Sequence, residues 1–67
     1  MPTITYAYGD RLRLERLKVR LRQVDVAGAL GISHAALSRY ENGQRLPRHP
    51  VEFEEAHAEA VALLSQR

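Results

Sequence analysis

The chain has 67 residues, 45% of them hydrophobic and 27% charged, with no cysteine and a formal net charge of +2. Disulfides and thiolate metal sites are thereby excluded, a catalytic cleft has little chain to be built from, and the short apolar run AVALL at residues 60–64 falls far below the ~18 residues of a membrane span. One domain is expected, close to the lower limit for folding alone, since a chain of this size buries only about 60% of its unfolded surface.

Charge is divided along the chain. Residues 1–48 carry nine Lys and Arg against four Asp and Glu, whereas residues 49–67 carry one against four. A basic half beside an acidic one is the pattern of a domain that offers one side to a polyanion. Solvated helix surfaces of opposite sign are the plainer alternative.

Residues 1–8 alternate weakly, with Ile4, Tyr6 and Tyr8 on one side of an extended segment. They are read as an N-terminal arm, extended or flexible, ahead of a single domain over 9–67. The arm either packs over the helices, pairs with its twin in a dimer, or moves freely. Asp10 is placed to cap a first helix over about 10–21. That helix carries two apolar stripes, Leu12 with Val19, and Leu14 with Leu17 and Leu21. One surface helix needs only one stripe, so both flanks are expected to be covered. The second cover is the last helix or a partner subunit. Arg16 lies within the first stripe, where a charge is either paired or reaches out to solvent along its stem.

Val26, Ala27 and Leu30 recur at helical spacing and predict a second helix over about 23–30. Gly31 can end it in the left-handed region, apolar Ile32 plugs the corner, and Ser33 can cap a third helix over about 33–42. Leu37 and Tyr40 form that helix's buried side, and Gly43 stops it. Ala27 is small enough for the close crossing that two helices make over a short turn. The third helix is left with an outward set of Ser33, His34, Ala35, Ser38 and Arg39, which suits a DNA major groove. Pro47 and Pro50 then force an extended connection. A last helix over about 50–66 starts at Pro50, with Glu52, Glu54 and Glu55 at its positive end. Its apolar face is read as Phe53, Ala56, Ala60 and Leu64, with Val61 beside them.

The stretch Gln23–Gly43 resembles the helix-turn-helix of the XRE family, which includes the Cro and repressor domains of lambdoid phages. The likeness runs through Gln23, Val26, Ala27, Leu30, Gly31, Ile32, Ser33, Leu37, Ser38, Tyr40 and Glu41-Asn42-Gly43, and covers about residues 9–48. It implies an all-α, lambda-repressor-like cluster of four helices, or five where the last stretch divides as it often does in the family. It also implies that Arg16 pairs with Glu41, making Glu41 a structural staple rather than a DNA contact. Two positions depart from the family pattern. Arg20 stands where glycine is usual, and Arg22 stands where Ser or Thr caps the second helix, so the first corner is expected to be shaped differently.

The resemblance makes Gln23 the residue that grips the DNA backbone, with the helix N-terminus beside it. Arg22, Ser33, Asn42, Gln44, Arg45 and Arg48 join it as expected phosphate contacts. Arg39 is the first choice for base reading, because its fork matches O6 and N7 of guanine. His34 and Ser38 can exchange hydrogen bonds with base edges, and Ala35 can touch a thymine methyl. Catalysis is not expected. His34, His49 and His57 lack metal-ligand spacing, Ser33 and Ser38 have no oriented base nearby in sequence, and no glycine-rich phosphate loop is present. No metal or cofactor is therefore implied. The expected partner is double-stranded DNA, bound by a homodimer at a near-palindromic operator, in a cytoplasmic repressor of phage or bacterial type. Two alternatives stand beside it, each with a protein partner at the last helix or the arm: an antitoxin that also binds DNA, and an adaptor or coactivator using the same fold.

Overall fold

The computed structural model describes the backbone of residues 3–66 and the side chains of residues 7–66. Four helices follow one another: α1 (Thr3–Lys18), α2 (Gln23–Leu30), α3 (His34–Glu41) and α4 (Pro50–Ser65). Among the described residues there is no strand, and the all-α, four-helix expectation holds.

The N-terminal expectation needs correction. From Thr3 onward the arm is helix, and Asp10 lies inside α1, exposed and 3.6 Å from the Arg13 guanidinium, rather than at a cap. The reason is tertiary. The Tyr8 side chain is buried and its hydroxyl donates to Pro50 O at 2.7 Å. Gly9 lies against the end of α3 so closely that an added Cβ would stand 2.5 Å from Tyr40 O and 2.6 Å from Glu41 O. Contacts from residues far along the chain thus hold turns that a mid-helix glycine alone would weaken by about 1 kcal/mol. Met1, Pro2 and the side chains of Ile4 and Tyr6, on which part of the arm expectation rested, lie outside the described residues.

Three helix ends close in the same way. Gly31 and Gly43 adopt φ of 72° and 75°, and Arg20 adopts φ of 56°. At each, the next residue's N–H reaches back to a carbonyl in the last turn: Leu21 to Arg16 at 3.2 Å, Ile32 to Ala27 at 3.1 Å, Gln44 to Arg39 at 3.0 Å. This is the Schellman closure, which favours glycine because a Cβ is strained there. The first corner therefore does not depart in shape. Arg20 takes the glycine's conformation and bears the strain.

Val26, Ala27, Leu37 and Val61 form the central cluster, with Leu21, Leu30, Ile32, Phe53 and Leu64 packed around it. Tyr40 meets Phe53 edge-on at 5.1 Å, a favourable ring geometry. Tyr8 with Pro50, Arg11 with Glu54, and Glu15 with His57 pair in ascending order, so α1 and α4 run parallel. The Arg11 guanidinium, by hydrogen bonding, holds the Glu54 carboxyl below the usual carboxylate range.

Two apolar assignments change. In α1, Leu12 is fully buried, but Leu14, Leu17 and Val19 are exposed by 57%, 48% and 41%. Only one flank of α1 is covered by this chain. In α4, Ala56 is exposed and His57 takes the buried slot between Phe53 and Ala60. One residue is about 100° of helix, enough to turn a methyl outward and bring an imidazole in.

Candidate nucleic-acid interface

The outward side of α3 follows from its inward side. Leu37 and Glu41 are buried and Tyr40 half-buried, which turns positions 34, 35, 38, 39 and 42 away from the core. His34, Ala35, Arg39 and Asn42 are exposed and Ser38 is half-buried. The Ser33 hydroxyl accepts from Ala36 N–H at 3.0 Å, capping α3 while leaving its own proton free to donate. Asn42 Nδ2 reaches Ser38 Oγ at 3.4 Å. Gln44, Arg45 and Arg48 are all exposed on the connection that follows.

Beneath this face lies a buried ion pair. Arg16 Nε and Nη2 meet Glu41 Oε2 and Oε1, both at 2.9 Å, in the two-pronged geometry that makes such pairs strong. The third arm of the guanidinium, Nη1, donates to Leu21 O at 2.9 Å. Glu41 is 2% exposed, so its charge relies on these donors rather than on water.

Gln23 links the pair to the surface. Its Nε2 donates to Glu41 Oε1 at 3.0 Å, and its Oε1 lies 2.6 Å from His34 Nε2. An ionised carboxylate only accepts, so the Gln23 amide must turn its NH2 inward and its oxygen toward His34. His34 Nε2 therefore carries a proton. In the neutral ring Nδ1 is then an acceptor, suited to the amino groups of adenine or cytosine. After protonation both ring nitrogens donate.

Two α-helices meet here through a short turn, with the second helix bared and fixed from behind. A family model described as a helix-turn-helix domain matches residues 7–64. The chain belongs to this family. Neither a curated protein nor a solved structure gives a match. Membership of the helix-turn-helix family makes DNA the partner and regulation the general role, on a scaffold that is not as a rule enzymatic. No helix among the described residues is long and apolar enough to cross a membrane, and no group of three or more His, Cys, Asp or Glu side chains among them is placed to hold a metal ion.

Within this helix-turn-helix domain the expected contact residues divide into three sets, one of them Gln44, Arg45 and Arg48 on the connection after α3. Ser33, His34, Ala35, Ser38, Arg39 and Asn42 sit together on or at the start of α3, with Gln23 tied to them through His34. Arg22 sits apart, held by Asp25 at 2.9 and 3.3 Å and offering α2 no side-chain cap. Three residues have packing roles that the sequence did not assign: Tyr8, Gly9 and His57. His57 had a usable signal, since its spacing from Phe53, Ala60, Val61 and Leu64 puts it in the apolar stripe. Its Nδ1 bonds Glu15 Oε1 at 2.9 Å, and its Nε2 is buried without a partner among the described residues.

Proposed function

We propose that this domain is an XRE-type transcriptional repressor of phage or bacterial origin, reading a near-palindromic operator as a homodimer. Arg39 is assigned to guanine, His34 and Ser38 to base edges, and Ala35 to a thymine methyl. Gln23, through its backbone N–H and the amide proton that Glu41 leaves free, and Ser33 hold phosphates at the helix N-termini, and Asn42, Gln44, Arg45 and Arg48 grip the backbone downstream. Arg22 joins them by exchanging Asp25 for a phosphate.

The observation that carries this reading is the solvent-facing side of α3, free of packing and anchored from below by the Arg16–Glu41–Gln23–His34 chain. Such an anchor matters for base reading, because a side chain held in place loses less entropy on binding. The test is selection of bound duplexes from a random pool, followed by a salt titration. The expected product is a two-fold symmetric site with half-sites about 34 Å apart. If 6–10 phosphates are contacted, affinity falls about 10³–10⁵-fold between 50 and 200 mM salt. An Arg39→Ala variant should lose about 1–3 kcal/mol of specific affinity and tolerate other bases at one position. No enriched sequence, or a flat salt response, ends the proposal.

A further inference from the structure

Leu14 and Leu17 are two large apolar side chains on one helix that the fold leaves exposed. Gly9 and Arg16 mark the α3 side of α1, and Leu14 lies about 150° and Leu17 about 90° around the helix from it. The two leucines are exposed by 57% and 48% and are bordered by Arg13 and Lys18. A shallow open groove beside Leu14 is lined by Arg11, Glu15, Lys18 and Glu54, and leads onto α4.

The neighbouring outward stripe of α4 has the opposite character. Val51, Glu55, Glu59 and Ala62 recur at helical spacing, all exposed, with Val51 exposed by 67%. Among the described residues neither Glu55 nor Glu59 has an ion-pair partner, and Lys18 has none either. One molecule therefore presents, side by side on parallel helices, an apolar pair with a basic border and an acidic row that begins at an exposed valine.

We propose that this α1–α4 side is the contact between two copies of the chain, α1 of each lying on α4 of the other about a two-fold axis. Such an exchange is self-complementary, as closed dimers require. With α1 antiparallel to the second copy's α4, Leu14 and Leu17 meet its Val51, and Lys18 faces its Glu55. The face is smaller than a standard interface. Two 16-residue helices, each about 24 Å long and about 9 Å apart, give a face of about 24 by 20 Å. A standard interface takes about 800 Å² from each partner, roughly a sixth of the 4723 Å² surface of this chain. The acidic stripe repels DNA, and α3 lies on the other side of α1, so the contact leaves the reading face open.

The inference deepens the dimeric reading above, and its test omits DNA so that the two fail separately. Sedimentation equilibrium of the intact chain should give twice the 7.6 kDa chain mass. The Leu14→Glu/Leu17→Glu variant should give the single mass with unchanged helical circular dichroism. Lys18→Glu should weaken association at least tenfold, and Glu55→Lys in the same chain should restore it. A wild-type chain that stays monomeric up to about millimolar concentration overturns the proposal. So does a Leu14→Glu/Leu17→Glu variant that stays dimeric, or a charge reversal that Glu55→Lys leaves unrepaired. A dimer that behaves as stated but selects no duplex leaves this contact standing and removes the operator reading instead.

Discussion

Replacing Arg16 with Met is the most informative perturbation, because it tests the pair under the reading helix. The Glu41 side chain has no solvent exposure and three donors, two of them from Arg16. Met fills the arginine stem but leaves a buried carboxylate with the Gln23 amide alone, and Leu21 O loses its side-chain donor. Breaking a buried pair on one side costs about 3–5 kcal/mol. A domain of this size holds about 3–10 kcal/mol in all, at about 0.05–0.15 kcal/mol per residue. Arg16→Met should therefore sit at the edge of unfolding. Glu41→Leu should be milder, since the Arg16 side chain keeps 11% exposure and can shift its head toward water. The double variant, with Met opposite Leu, removes both charges. Replacement of a whole buried pair is often neutral or stabilising by about 1–4 kcal/mol, set against about 1 kcal/mol each for the partners that Gln23 and Leu21 lose. It should lie within about 2 kcal/mol of wild type. Urea unfolding followed by far-UV circular dichroism measures all four proteins. Equal stability of Arg16→Met and wild type, or of Arg16→Met and the double variant, would refute the assignment of a buried, mutually dependent pair. The double variant also separates fold from reading: with no carboxylate to orient Gln23, operator affinity should drop although stability does not.

Three further outcomes follow from single positions. Arg20→Gly should stabilise the domain by about 0.5–1 kcal/mol in thermal unfolding, because a left-handed side-chain residue costs about 1–2 kcal/mol and glycine's greater freedom returns part of that; a loss of stability would mean that Arg20 makes an interaction of its own. Gly9→Ala should destabilise by about 1–3 kcal/mol despite alanine's better helix propensity, since the methyl would press on the carbonyls of Tyr40 and Glu41, and a gain in melting temperature would contradict the close crossing. Burial, with the Glu54 carboxylate adding to it, pushes the Tyr8 hydroxyl from 10.0 up to about 12. Its stabilisation is thus fully present below pH 10 and lost as the pH rises toward about 12. A Tyr8→Phe variant should lack that alkaline phase, and an identical profile for both proteins would count against it.

What could be read from the sequence depended on how far each signal reached. The turn between α2 and α3 was legible because its determinants are local: Gly31 for the left-handed corner, Ser33 for the cap, Leu37 at helical spacing. The start of α1 was not, because Tyr8 and Gly9 are fixed by residues 40, 41 and 50. Periodicity identified Leu14 and Leu17 as a stripe but carries no information on what covers a stripe. In α4 the apolar alphabet favoured Ala56 over His57, whereas burial followed a hydrogen bond to Glu15 that only the packed pair of helices provides. Arg20 makes the instructive case. The missing glycine was visible, yet the corner kept its shape, because Arg16 binds it from both ends of the same residue. Its carbonyl takes the Leu21 N–H at 3.2 Å while its guanidinium donates to Leu21 O at 2.9 Å. The side chain that neutralises Glu41 beneath α3 is therefore also the one that holds the strained turn between α1 and α2. A left-handed arginine becomes tolerable at this corner because the residue that closes it is already held in place by the buried carboxylate.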